Sequence, residues 1–219
     1  MNNNPWSIIK SNEYDAHMSH SNVMQTQKLC SITKDQLGLL PKNKSNSCLT
    51  ILGVTNGNGL EHINLFNVRK IIGIDINIDF LDECRNKYPE LGSRLNLYQL
   101  DLMTQTDEAI EIINKSDLII ANLLIEHIHL DNFIKIISGI SRHNQIISCV
   151  IQKNPDGSLS SSSGVEYVFD EIVKRVEEED ENQLISAMEI VEYKLNSKVT
   201  YDLPNKKQFI RLDFSPNKK

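Results

Sequence analysis

Three glycines crowd the stretch Leu49-Thr-Ile-Leu-Gly53-Val54-Thr55-Asn-Gly57-Asn-Gly59, directly after an apolar run of strand character. Glycine lets a chain turn sharply and lets its backbone approach a ligand where a Cβ would obstruct. A helix opening after such a turn offers unpaired N–H groups and a partial positive charge to that ligand. The next β-branched run, Lys70-Ile-Ile-Gly-Ile-Asp75, ends in a carboxylate, a group able to accept from both hydroxyls of a ribose. A third run, Leu95 to Leu100, leads into Asp101. That carboxylate can accept from an exocyclic amine while the backbone N–H of Leu102 reads a ring nitrogen. A glycine turn and two strand-end aspartates, in this order, describe a nucleoside lying across the carboxyl ends of neighbouring strands.

Those residues need a sheet to position them, and the middle of the chain supplies one. Cys48–Val54, Lys70–Asp75, Leu95–Leu100, Asp117–Ala121 and Gln145–Ile151 read as strands, mostly continuous in their apolar character, as in parallel sheets buried on both faces. Helical stripes lie between them. Phe133, Ile136, Ile137 and Ile140 follow Asp131; Leu81, Cys84 and Tyr88 follow Asp79; Ala109, Ile112 and Ile113 follow Thr106. Alternating strands and helices predict βαβ units with helices on both faces. Two further β-like runs, Val191–Leu203 and Gln208–Phe214, flank a turn at Pro204-Asn205 and predict an antiparallel hairpin. The expected fold is a Rossmann-like α/β domain over residues 46–219, with a seven-stranded mixed sheet. Residues 1–45 form a helical cap ahead of it. The segment 152–164 reads as a polar Gly/Ser loop, 167–177 as a helix, and the acidic run Glu177–Glu181 as a solvated face or helix end.

Length and composition agree with one sizeable globular domain: 219 residues, 40% hydrophobic and 24% charged. A net charge of −6 argues against a nucleic-acid partner. The apolar runs are too short to cross a bilayer, and the opening Met1-Asn-Asn-Asn-Pro5 lacks the charged start and apolar stretch of a secretory leader, so a cytoplasmic location is expected. Cys30, Cys48, Cys84 and Cys149 form no Cys-x-x-Cys pair and read as reduced thiols.

The pattern resembles the class I S-adenosylmethionine-dependent methyltransferases over roughly residues 45–151, and the C-terminal hairpin fits them too. Ile51-Leu-Gly53-Val-Thr-Asn-Gly57-Asn-Gly59 is similar to that family's first motif. Ile72-Gly-Ile-Asp75-Ile76 resembles the second, Leu100-Asp101-Leu102 the adenine-binding motif, and Asp117–His127 the fourth. The resemblance implies S-adenosyl-L-methionine as cofactor and S-adenosyl-L-homocysteine as product. It implies cofactor contacts from Gly53, Val54, Thr55, Gly57, Gly59, Asp75, Ile76, Asp101, Leu102 and Asn122. Two positions depart from it: Thr55 replaces the middle glycine, and Ile51 stands where the family carries an acid that organises the methionine amino end. Asn122 or a group from the cap would then hold that ammonium.

The cap, with Trp6, Tyr14, His17 and His20 and no nucleic-acid module, is similar to the caps of small-molecule methyltransferases. It makes a small-molecule acceptor the expected partner, with Tyr14 and His17 as substrate-binding candidates. A base is needed only for an acceptor that must lose its proton early. Glu126 and His127 are the leading candidates for it, with His129, Tyr14, His17 and His20 behind them. His17-x-x-His20 and His127-x-His129 lack a cysteine or acidic ligand at a convincing spacing, so no metal is expected. A nicotinamide-dependent oxidoreductase is the first rival, weakened by His62 where the dinucleotide fingerprint needs glycine. A methyltransferase-like domain that binds cofactor or a partner chain without turnover is the second.

Overall fold

The computed structural model describes residues 4–42, 44, 46–140, 145–154, 163, 169–204 and 206–217. Seven strands form a single sheet: β1 (Ser47–Leu52), β2 (Val68–Asp75), β3 (Leu95–Gln99), β4 (Leu118–Asn122), β5 (Ile146–Lys153), β6 (Tyr193–Asp202) and β7 (Gln208–Pro216). Their order is β3-β2-β1-β4-β5-β7-β6. The first five run parallel; β7 lies antiparallel to both β5 and β6. All five sequence-predicted central strands and both arms of the hairpin are present, with ends shifted by a residue or two as fraying termini allow.

Burial explains why the runs read so clearly. The side chains of Leu118, Ile119, Ile120 and Ala121 on β4 are fully buried, because helices cover both faces of the sheet. On β6 burial alternates residue by residue, as at a sheet edge with one face to water.

The helices are α1 (Ser11–Met18), α2 (Gln25–Leu37), α3 (Ile78–Lys87), α4 (Thr106–Ile113), α5 (Ile125–Ile128), α6 (Leu130–Gly139), α7 (Asp170–Val173) and α8 (Glu181–Ile190). The stripe after Asp131 buries Phe133, Ile136 and Ile137 in the larger core cluster with Ile119, Ile147 and Leu212. Asn77 caps α3 by accepting from the Asp79 N–H, and Asp180 caps α8 by accepting from Asn182 and Gln183. Of the two readings of the acidic run, the helix end holds at Asp180 and Glu181, since Asp180 starts a helix and Glu181 is its first residue.

Two expectations change. The segment after the glycine turn is a six-residue 3-10 helix, Leu60–Leu65, rather than an α-helix. Gly59 and Val68 stand too close in sequence for a turn and a helix of ordinary length. The helix expected over 167–177 is seen only as α7; Tyr167 and Val168 lie outside the described residues, as do Asn205 of the hairpin turn and most of the Gly/Ser loop.

The N-terminal residues pack onto the sheet. Met18, Leu29 and Ile32 join Val150 and Phe209, while Ile9 joins Phe80, Phe169 and Ile172. Polar links reinforce the contact. Gln36 and Asn122 exchange reciprocal amide bonds of 2.8 and 2.9 Å. Gln36 also donates to Ser148 Oγ, which donates to Asp213, the buried partner of Arg211.

Replacing Phe133 by Ala is expected to lower stability by about 3–5 kcal/mol through lost burial and the cavity left behind. Urea unfolding of the variant against the parent chain measures it.

Candidate active site

The direction of chain progression reverses between β1 and β4, which are neighbours although β2 and β3 lie between them in sequence. Crevices form outside the carboxyl ends of strands at such switch points. The loops that leave β1 and β4 flank one here: a Cβ on Gly53 would stand 3.2 Å from Leu124. The N-terminal helices roof this crevice and make it a cavity.

Asp75 anchors the cavity floor. Its Oδ2 accepts from the Thr55 N–H and its Oδ1 from the Asn77 N–H, both at 2.9 Å. Burial pushes its carboxyl up to about 6, outweighing these backbone bonds, which favour the charged form. Thr55, at the position where a glycine was expected, adopts φ +47°, left-handed backbone that β-branched residues rarely accept. The bond to Asp75 holds it there. Tyr14 from α1 reaches the Thr55 side chain, and burial raises its phenol well above the ordinary value. The next residue pair repeats the link: Asn56 Nδ2 donates to both oxygens of Asp15 at 2.7 and 2.8 Å.

Asp101 sits beside Asp75 on the cavity wall, its Oδ1 accepting from the Met103 N–H at 2.9 Å. Gly53, Val54, Thr55, Ile76, Leu102 and Asn122 line the same wall, and so does Ile51, which presents an apolar side chain. Gln25, Thr33 and Asn58, none singled out from the sequence, bring polar atoms to it. Gly57 and Gly59 are not among the lining residues. A Cβ on Gly57 would lie 2.8 Å from Cys84 Sγ and from Tyr88; one on Gly59 would lie 2.5 Å from Thr33. Their φ values, +82° and +92°, and these contacts show that both glycines serve packing of the loop against α3 and α2.

The cavity is also lined by Glu126 and His127 of α5, with Trp6, Phe169, Ile172, Val173 and Val176. Glu126 is 5% exposed. Its Oε1 accepts from the Gln152 N–H at 2.8 Å; its Oε2 is buried with no hydrogen-bond partner. Burial pushes its carboxyl up to about 7, with a smaller push from Glu179. Burial also lowers His127 to about 4, so its imidazole stays neutral, packed edge-on to Trp6 at 4.8 Å between ring centres. A proton acceptor works best when its pKa lies near the operating pH, which separates the two candidates in favour of Glu126. Tyr14 and His17 both line the cavity, and His17 Nδ1 lies 2.6 Å from Ser163 Oγ. His20 and His129 do not line it. His20 accepts from the Asn22 N–H, and His129 faces Glu177. Glu178, hidden in the acidic run, reaches the wall and accepts from the Asn154 N–H.

The histidine pairs thus do not converge. Cys30, Glu61 and His62 do, with Sγ 3.0 Å from Glu61 Oε1 and 3.3 Å from His62 Nε2. Residues from two separate helices made that cluster invisible to local spacing. Its members hydrogen-bond one another and none lines the cavity.

The strand order, the antiparallel β7 and the crevice at the β1–β4 switch point define the class I methyltransferase fold. Three solved structures similar to this chain have that fold. Magnesium protoporphyrin IX methyltransferase from Synechocystis PCC 6803, solved with bound S-adenosylhomocysteine, is 12% identical, with TM-score 0.60 over 89% of this chain and 83% of that one. Geranyl diphosphate C-methyltransferase from Streptomyces coelicolor A3(2), solved with Mg2+, geranyl diphosphate and S-adenosylhomocysteine, is 12% identical, with TM-score 0.63 over 88% and 80%. The 1,6-didemethyltoxoflavin-N1-methyltransferase of Burkholderia thailandensis is 10% identical, with TM-score 0.60 over 95% and 88%. Neither a protein-family profile nor a curated sequence matches the chain. No helix among the described residues is long and apolar enough to cross a membrane.

Replacing Gly57 by Ala is expected to destabilise the fold by at least about 1–2 kcal/mol, the cost of left-handed backbone for a residue with a Cβ, before its clash with Cys84 and Tyr88 is added. Thermal unfolding should show a lowered Tm; an unchanged Tm would overturn the packing role of that glycine.

Proposed function

We propose that the chain binds S-adenosylmethionine in this cavity and transfers its methyl group to a small-molecule acceptor. One observation carries the proposal: one cavity is lined both by Asp75 and Asp101, at the ends of β2 and β3, and by Glu126 and His127 beyond β4. The first pair suits a nucleoside and the second a reacting group, and the fold is shared with enzymes solved with this cofactor or its product. Asp75 would accept from the ribose hydroxyls, and Asp101 with the Leu102 backbone would read the adenine. Gly53, Val54, Thr55 and Ile76 would line the sugar and the methionine chain. With Ile51 apolar, the methionine ammonium would fall to Asn122 and to Gln25, Thr33 and Asn58. Tyr14, His17 and Trp6 would close the acceptor side, with Glu126 and His127 beside the methyl group. The sulfonium already makes the methyl electrophilic, so the protein's part is alignment and exclusion of water. An oxidoreductase is disfavoured by the hairpin strands β6 and β7 and by the short 3-10 helix after the glycine turn.

Isothermal titration with S-adenosylhomocysteine tests the reading. Saturable binding of one equivalent is expected, and its absence would end the proposal. Asp75→Ala should weaken that binding by about 1.5–3 kcal/mol, the worth of hydrogen bonds to a charged group. The carboxyl of Asp75 sits at about 6 before ligand binds. Hydroxyl donors favour its ionised form, so affinity should fall as pH drops through that value. Asp75→Asn should flatten the step, and a step that survives the substitution would assign it to another group.

A further inference from the structure

The cavity is acidic. Asp75, Asp101, Glu126 and Glu178 line it, and among the described residues no lysine or arginine does. The sequence from 155 to 168, which follows β5, contains no lysine or arginine either. The walls beside Glu126 are apolar: Leu124, Ile128, Phe169, Ile172, Val173 and Val176. Glu126 and Trp6 both line the cavity, and among the described residues each carries a buried polar atom without a hydrogen-bond partner, the acceptor Oε2 and the donor Nε1. Buried polar atoms left unpaired cost free energy, so their survival in a shaped cavity points to a ligand that pairs them. A buried carboxylate or phosphate on that ligand would meet carboxylates and no cation, at a large desolvation penalty.

We infer that the acceptor is an uncharged molecule with an apolar body and a protic nucleophile, N–H or O–H, that donates to Glu126 Oε2, while a second atom of it accepts from Trp6 Nε1. This deepens the methyl-transfer reading and rests on it. As the new bond from nitrogen or oxygen to the methyl carbon forms, the bond from that carbon to sulfur breaks and its electron pair stays on sulfur, which becomes a neutral thioether. The acceptor's proton passes to Glu126 Oε2 and from there to water. Glu126 is suited to that step: burial pushes its carboxyl up to about 7, whereas the adjacent His127, held near 4, is a poor proton acceptor.

The test uses protein saturated with S-adenosylhomocysteine and three probes that share one bicyclic body: 2-naphthol, 2-methoxynaphthalene and 2-naphthoate. Ligand-observed NMR at pH 7.5 should show 2-naphthol binding at least about tenfold more tightly than its methyl ether, with no saturable binding of the carboxylate. Glu126→Gln presents an amide donor where the acceptor stood, and should erase the preference for 2-naphthol over the ether. The wild-type comparison stands without the variant, should the variant fail to fold. Equal binding of naphthol and ether, binding of the naphthoate, or no binding of any probe overturns the inference while the cofactor reading survives. Failure of S-adenosylhomocysteine itself to bind overturns both.

Discussion

The burial of one carboxylate organises the rest of this molecule. Asp75 stands at the end of β2 with little access to water, and each oxygen is held by a backbone N–H from a different loop. One bond fixes Thr55 in left-handed backbone and so shapes the turn after β1. The other fixes Asn77, whose own side chain caps α3 and donates to the carbonyls of Trp6 and Ile9. A single buried charge therefore sets the turn, the start of α3 and the path of the N-terminal segment over the cavity. Burial pushes its pKa up in spite of those bonds, which favour the charged form. Burying a carboxylate in this way is costly, and under the proposed function hydroxyl donors from the ligand would offset part of that cost.

The N-terminal helices are tied to the sheet by polar as well as apolar contacts. Asp15 holds Asn56, Asn58 donates to the Thr26 carbonyl, Gln25 donates to Gln152, and Gln36 reaches Asn122 and Ser148. Most of these links land on the loops after β1 and β4 or on β5. Hydrogen bonds of this kind contribute about 1 kcal/mol each, far less than the apolar packing of Ile9, Met18, Leu29 and Ile32. Their importance is geometric, since they decide where Trp6, Tyr14 and His17 sit relative to Asp75 and Glu126.

Much of this was legible in the sequence, for a physical reason. A parallel strand covered on both faces must be apolar throughout, so β1, β2, β4 and β5 announce themselves, and a carboxylate that ends such a run falls at the carboxyl edge of the sheet. Asp75 was found that way, and Asp101 from the alternating run Leu95 to Leu100 that leads into it. What escaped depends on contacts between residues far apart in the chain. Nothing local tells whether a glycine in a turn faces a ligand or a neighbouring helix; Gly57 and Gly59 face Cys84, Tyr88 and Thr33. Glu178 lay concealed in a charge run, and Phe169, Ile172 and Val176 in a segment without a strong pattern. The unequal fates of Glu126 and His127, adjacent in sequence, follow from desolvation acting in opposite directions on an acid and a base.

The same desolvation bears on the cycle of binding and release under the proposed function. Two lining carboxyls, Asp75 and Glu126, are raised towards neutrality in a cavity that lacks a cationic side chain among the described residues. A cationic sulfonium would stabilise their charged forms; the neutral thioether left after transfer would not. Each turnover would thus move one positive charge out of an acidic, poorly solvated space, first as the sulfonium is quenched and then as the acceptor's proton leaves. The electrostatic part of the affinity would favour the reactant over the product, so that chemistry itself loosens the hold on what must depart. An acidic cavity is consistent with such a cycle, whereas lysine or arginine at the same wall would oppose the entry of the charged reactant.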